Sequence, residues 1–431
     1  MALSKLHSLG RAIWYFRRQP YYGFIQGHDY LEDEAIKDIR QLVGKKKPEA
    51  VMEFENLFAG VIGMGKAVSF AAGRMGFYAL MKILGIGEGD NVILQGHTCS
   101  VMPNAVWRTG AKPVFADIDP ETFGSSAEAI EKAITQRTRM IVAQHSFGIP
   151  CKIEAIKELA SARGIFLLED CAITLESRVN GVRVGNFGDA ALFSIDHSKP
   201  LNTFIGGLIY TRNEELYARL HEIRSDSEDI PDERQRLIWS KFLFERSYYN
   251  PQNYGKSFLV NIVNKVLTRE KDSYLTDDYG KNPSSSYPYP ARLPFFLGRL
   301  GLYELQRWDE EKNKRQQLFS EYLKFSDSLG LSKFLPRAYF DSNLEIVPLR
   351  FVFSHPNAVS IRKKMAPFID INGFWFDEPI IACKDPRELG YENNSCPISE
   401  GIGEKVINWP CASGHEYDNN ILDIFKRVFN E

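Results

Sequence analysis

Between Ala67 and Tyr210, short runs of Val, Ile, Leu and Ala alternate with segments of helical spacing, and this alternation leaves few folds open to the chain. The runs are Ala67–Phe70, Asn91–Leu94, Pro113–Ala116, Met140–Ala143, Ile165–Leu168, Ala190–Phe193 and Leu208–Tyr210. Helices are expected over Met75–Leu84, Ala127–Ile134 and Lys152–Arg163. Another is expected at Glu49–Val61, where Val51, Phe54, Leu57 and Phe58 fall at helical spacing. Strands this short and apolar have no solvent face. They predict an α/β fold, a mostly parallel sheet covered by helices on both sides. Ligands of such sheets sit beyond the carboxyl ends of the strands. The residues just after each run are therefore the candidates for function.

The 431 residues suggest two or three compact units at roughly 150 residues each. Residues 1–50 read as an N-terminal extension and 51–225 as the large domain that carries the alternation. The pattern changes beyond Glu214. Residues 226–290 are polar and aromatic, and Ser284–Ser286 followed by Tyr287-Pro288-Tyr289-Pro290 signals a linker. Residues 291–431 begin with a long charged helix, about Phe295–Phe325. A smaller α+β domain follows, with a strand at Leu344–Phe351 and helices at Asn357–Lys364 and Asn420–Phe429.

The net charge of −2 supplies no basic field, so no nucleic-acid partner is expected. Six cysteines are scattered without a CxxC pair. That argues against a disulfide framework or a zinc site and for a reducing, cytoplasmic setting. No run reaches the ~18 apolar residues of a membrane span. Met1–Tyr22 is basic and aromatic without the apolar core of a secretory signal, which leaves room for a peripheral membrane contact.

Two glycine motifs fail on context. Gly60, Gly65 and Lys66 have P-loop spacing, but Ala67 lacks the hydroxyl that would hold magnesium, and the segment runs into a strand instead of out of one. Gly85-Ile86-Gly87-Glu88-Gly89 follows a helix and precedes a strand, the reverse of a dinucleotide cradle. Three other features sit where ligands should. Gly73-Arg74 opens a helix after Phe70, and helix starts attract phosphate. Glu169-Asp170 follows Leu168. Lys199 follows Phe193 within Phe193-Ser194-Ile195-Asp196-His197-Ser198-Lys199, before Gly206-Gly207. A phosphate anchor, an acid for a ring nitrogen and a Schiff-base lysine together are what pyridoxal phosphate requires.

The order and spacing of the blocks resemble the DegT/DnrJ/EryC1/StrS family of pyridoxal-phosphate-dependent sugar aminotransferases. The matching blocks are Gly73-Arg74 through Asp90, Gly110 through Asp119, Glu169-Asp170-Cys171-Ala172, Gly185 to Asp189, and Phe193 through Gly207. The resemblance spans about residues 30–225 and 287–431. It implies the type I fold of aspartate aminotransferase, a homodimer, and transfer of nitrogen from an amino acid such as glutamate to a keto group on a nucleotide-linked sugar. Lys199 would hold the cofactor's aldehyde and shuttle protons, and Asp170 would pair with the ring nitrogen. Gly73, Arg74 and Ser194 would hold the phosphate. His145 matches a histidine near the cofactor, with a satisfied structural histidine as the alternative, and Arg292 survives from an Asn-x-Arg motif that reaches the partner subunit.

Three positions depart from the family pattern. Cys99 replaces a stacking aromatic, Ile173 replaces a Gln or His that contacts the cofactor hydroxyl (a contact left to Thr174 or water), and Pro290 replaces the Asn. The family also contains sugar dehydratases, against which Lys199 argues, and the departures keep a degenerate cofactor-binding scaffold as an alternative. Residues 226–290 are longer than the family's usual connection. Their aromatics, interleaved with Lys241, Arg246 and Lys256, are expected to line the acceptor site. The apolar Phe258–Leu267 could instead form an amphipathic helix at a membrane or at a lipid-linked substrate, or the segment could be a packing insert that covers the dimer edge.

Overall fold

A computed structural model describes residues 15–16, 20–268, 287–412 and 418–430. Ser284–Ser286 and most of Met1–Tyr22 lie outside them. The apolar runs form seven strands: β1 Lys66–Phe70, β2 Asn91–Gln95, β3 Lys112–Ala116, β4 Thr138–Gln144, β5 Phe166–Asp170, β6 Ala190–Ser194 and β7 Gly207–Thr211. They form one sheet in the order β1-β7-β6-β5-β4-β2-β3. Strands β6, β5, β4, β2 and β3 are mutually parallel, while β7 runs antiparallel to β6 and β1. Side chains alternate across the sheet. Val92, Leu94, Met140, Val142 and Leu168 join the larger core on one face, and Ile93, Ile141 and Leu167 join a second core on the other. Burial on both faces is why these strands lack polar alternation.

The helix Gly73–Ile83 packs against β7 so closely that both partners must be glycine. A Cβ on Gly207 would lie 2.3 Å from the Gly73 Cα, and one on Gly76 would lie 2.9 Å from Ile209. Gly207→Ala is expected to destabilise the protein by about 1–3 kcal/mol in urea unfolding, since backbone cannot give way as a side chain can. Gly60→Ala, in the helix Pro48–Ile62 with nothing within 4 Å, should instead gain up to about 1 kcal/mol. A loss at both positions would show that glycine acts there through something other than space.

The 34-residue helix Phe295–Ser328 ties the molecule together. Phe296, Leu297, Leu300 and Trp308 enter the large core, while Leu318, Phe319 and Tyr322 enter the smaller one. The smaller core is built on the antiparallel pair Arg350–Ser354 and Val406–Pro410 with the helices Ala358–Met365 and Asp418–Asn430. The expected strand Leu344–Phe351 is in fact two, Leu344–Glu345 and Arg350–Ser354. Pro348 has no N–H for a ladder, and the Val347 N–H donates to the Ser177 hydroxyl (2.9 Å).

Residues before the sheet belong to the same body. Leu31, Ala35, Ile39 and Leu42 pack in the large core. Tyr22 exchanges backbone hydrogen bonds with Phe368 and Asp370 of the smaller unit (2.8 Å each). Segment 226–290 contributes the helices Asp232–Tyr248 and Tyr254–Thr268. Tyr254 and Phe258 stack with Tyr15 and Tyr21 in a small aromatic cluster. Among the described residues no helix is long and apolar enough to cross a membrane.

Candidate active site

A cavity of about 420 Å³ opens at the carboxyl ends of the parallel strands. Gln144, Asp170 and Ser194, the last residues of β4, β5 and β6, all line it. Register makes this so, because Gln144 pairs with Asp170 and Asp170 pairs with Leu192. Gly73, Arg74, Cys99, Ile173 and Lys199 complete the set of sequence candidates around the same space.

Strand alternation separates the two carboxylates of Glu169-Asp170. Asp170 faces the cavity and accepts the Ala172 N–H (2.9 Å). Burial raises its carboxyl above the usual range, opposed by the Ala172 N–H and by the charge of Lys199. Glu169 faces the opposite way and is fully engaged. It accepts N–H groups of Gly185 (2.7 Å), Phe187 (2.7 Å) and Gly188 (2.8 Å), together with Nε2 of His145 (3.1 Å). The Gly185–Gly188 block is therefore the cradle of a structural carboxylate.

His145 lies behind the strand end and outside the cavity lining. Its Nδ1 accepts the Cys151 N–H (3.1 Å), which places the ring proton on Nε2, toward Glu169. Its backbone N–H holds the Asp170 carbonyl (3.0 Å). Glu169, His145 and Cys171 also form a close group of metal-ligand types. The first two are occupied by these bonds, and burial pushes the Cys171 thiol up to about 12.

Lys199 is half-buried, with its N–H on the Asp196 carbonyl (3.0 Å) and Nζ 4.5 Å from the Trp375 ring centroid. Burial lowers its affinity for a proton, while Asp196, Cys99 and Asp170 act the other way. The loop that carries it is pinned from three sides. Asn202 donates to the Gln26 carbonyl (3.0 Å), its backbone N–H donates to Glu304 (2.9 Å), and its carbonyl meets Nε2 of His28 (2.6 Å). Glu245, on the Asp232–Tyr248 helix, holds His197 (2.7 Å).

The helix Gly73–Ile83 begins at the cavity, and its N-cap Ala72 has no side chain to satisfy the first N–H groups. Arg74 reaches the Tyr287 hydroxyl (3.3 Å). Arg292 is outside the cavity of its own chain, where Asp229 (2.7 Å) and the Ser225 carbonyl (2.8 Å) hold it. Thr174 is buried and does not line the cavity. None of the described residues of 226–268 lines it either, and residues 269–286 of the expected acceptor segment lie outside the described residues. Its helix instead backs the lysine loop.

Sequence reasoning missed Trp375 and Phe376, which supply the cavity's aromatic rings. Trp375 is one layer of a stack with Arg350 (3.9 Å) and Phe24 (4.2 Å beyond). Ile380–Ile381 pairs in parallel with Thr98–Cys99 and so brings this segment over the cavity. The donor set fits pyridoxal phosphate. An uncapped helix start, Arg74 and the Ser194 hydroxyl suit a phosphate, a buried carboxylate suits a ring nitrogen, and a desolvated lysine suits an aldehyde.

Residues 30–243 match the DegT/DnrJ/EryC1/StrS aminotransferase family. The chain is 39% identical to a GDP-perosamine synthase of Escherichia coli O157:H7 over 173 residues, 40% of this chain and 48% of that one. It is 35% identical to the L-glutamine:2-deoxy-scyllo-inosose aminotransferase of Streptomyces fradiae over 249 residues, 58% of this chain and 57% of that one. The chain thus spans about half the length of the curated relatives it matches. The solved structure of DesI in the presence of its TDP-sugar product superposes with a TM-score of 0.69 at 20% identity, covering 98% of this chain and 97% of that one. At that identity the likeness shows the fold, the type I fold of the family.

Proposed function

The chain belongs to the DegT/DnrJ/EryC1/StrS aminotransferase family, a pyridoxal-phosphate-dependent one, and from that premise we propose that it moves an amino group from an amino acid to a keto group of a nucleotide-linked sugar. The observation that carries this reading is the convergence of Lys199, Asp170, Ser194 and the Gly73-Arg74 helix start on one cavity from three separate stretches of chain. Pyridoxal phosphate, when bound, supplies the aldehyde that takes up the nitrogen and the ring that accepts the electron pair of the broken C–H bond.

The protein's own groups do the rest. Gly73, Arg74 and Ser194 bind the phosphate, and Asp170 keeps the ring nitrogen protonated. Nζ of Lys199, its proton affinity lowered by burial, takes the proton from the donor's α-carbon and returns it to a different carbon. Trp375 and Phe376 cover the lysine side and exclude water. Cys99 and Ile173 line the same space, and Cys99 leaves the aromatic contact to those two rings. His145 and Glu169 position Asp170 from behind.

The donor is glutamate or glutamine, the latter by analogy with the Streptomyces relative. The test is transfer of ¹⁵N from labelled amino acids to GDP-, UDP- and TDP-linked keto-sugars, read by mass spectrometry. No labelled amino-sugar from any pairing would sink the reading.

The working form is proposed to be a homodimer in which Arg292 enters the partner's site, since within its own chain it lies away from the cavity. Arg292→Ala and Lys199→Ala chains, each inactive alone, should on mixing recover about a quarter of parent activity. Half the randomly formed dimers are mixed, and each of those has one intact site. Mixtures that stay inactive despite subunit exchange would show that Arg292 serves its own chain.

A further inference from the structure

We propose that Glu245 is a positioning residue for the amino-transfer reaction: it holds His197 as a cation against Asp196, so that the loop bearing Lys199 keeps one shape and one charge pattern. This rests on the reading of Lys199 given above. His197 stands two residues before the lysine, and both of its ring nitrogens face carboxylates. Nδ1 is 2.7 Å from Glu245 and Nε2 is 3.5 Å from Asp196. A neutral imidazole donates from one nitrogen only, so a ring flanked by two carboxylates is favoured as imidazolium. Burial works against the charge, but Glu245 and Asp196 outweigh it and carry the imidazole up to about 9.

Glu245 is 4% exposed, and its second oxygen, Oε2, has no hydrogen-bond partner among the described residues. His197 is thus its charge partner, and a buried carboxylate left alone is costly. The remaining groups around His197 leave that pairing undisturbed. The Phe204 ring packs edge-on at 5.9 Å. On the same side lie Gln26, Gly27 and Cys411, which carry no charge, and Glu304, Arg307, Glu311 and Arg315 of the Phe295–Ser328 helix. Those four balance two against two, with Glu311 bonded to both arginines (3.4 and 3.0 Å). Lys199 is the other cation on the loop.

The consequence falls on Lys199. Asp196 is the foremost charge favouring its protonated form. A cationic His197 draws on that same carboxylate and adds a positive charge beside the amine, and both effects favour the uncharged amine. Removing the cation leaves Asp196 to the lysine, which then holds its proton to higher pH. The described residues of 226–268, none of which lines the cavity within their own chain, thereby act on the chemistry through one buried carboxylate.

The experiment uses the full-length protein with Glu245→Gln, Glu245→Asp and His197→Asn. In the cofactor-free protein, the NMR titration midpoint of His197 should fall by about 1–3 pH units in Glu245→Gln and return toward the parent in Glu245→Asp. In the protein loaded with pyridoxal phosphate, the visible-absorbance midpoint and the acid limb of kcat/KM should both move to higher pH in Glu245→Gln and His197→Asn. An unmoved His197 midpoint in folded Glu245→Gln overturns the proposal, as does a moved midpoint with unmoved absorbance. Should Glu245→Gln fail to fold, the absorbance midpoint of His197→Asn decides alone, and a parent-like value overturns it. The NMR and absorbance readings stand even if no amino transfer is found, so failure here is distinguishable from failure of the proposed function.

Discussion

Lys199→Ala protein is expected to fold, to keep its phosphate contacts and to lose about 10³-fold or more in turnover, the scale of removing a positioned acid–base group. No other described residue supplies the missing amine, because Lys199 is the one lysine among those that line the cavity. The amine's environment matters as much as its presence. Burial lowers its proton affinity, so at neutral pH the folded protein holds more of it as the free base than an exposed lysine would. Multiple-turnover ¹⁵N transfer is the measurement. A rate within tenfold of the parent would move the acid–base role off this residue.

Asp170→Asn is expected to lower turnover by a factor on the order of 10²–10³, because an amide supplies no negative charge to the ring nitrogen. The same substitution should raise the melting temperature of the cofactor-free protein at neutral pH. The sign follows from linkage. Burial raises the Asp170 carboxyl, so the folded chain binds this proton to higher pH than the unfolded chain does. Stability therefore falls as pH rises from the ordinary carboxylate range through the raised folded value, and the full penalty stands above it. The amide carries none of this penalty, so the gain of the variant over the parent should widen between acid and neutral pH in thermal melts. Near-parent turnover would place the acid elsewhere. Asp189 is a poor substitute, since it accepts the Leu167 N–H (2.8 Å) and does not line the cavity.

The sheet was readable because its strands are buried on both faces. Asn91–Gln95 and Ala190–Ser194 carry four buried residues each, and no polar alternation blurs them. Gly73, Asp170, Ser194 and Lys199 were readable because each lies at the end of such a strand or just past it. The Asp232–Tyr248 helix was not. Its apolar residues Leu237, Ile238, Phe242 and Leu243 are interspersed with charges, because it meets a polar loop through Glu245 as well as the core. Trp375 and Phe376 were hidden for a different reason. No local pattern announces them, and only the pairing of Ile380–Ile381 with Thr98–Cys99, nearly three hundred residues upstream, brings them to the cavity. That His145 would turn toward Glu169 instead of the cavity depends on which face of a neighbouring strand each acid takes.

The pinning of the lysine loop also fixes when the protein becomes competent during synthesis. The loop needs Gln26 and His28, made early, Glu245, made midway, and Glu304, made later. The cavity's aromatic wall needs Trp375 and Phe376, and Arg350 in the stack is held by Asn408 (2.9 Å). A ribosome-bound chain that has exposed the whole seven-stranded sheet therefore still lacks the aromatic wall of its pocket. A fragment ending before Asn408 would lack the hydrogen bond that holds Arg350 in the aromatic stack, and with it the support of the pocket's far wall.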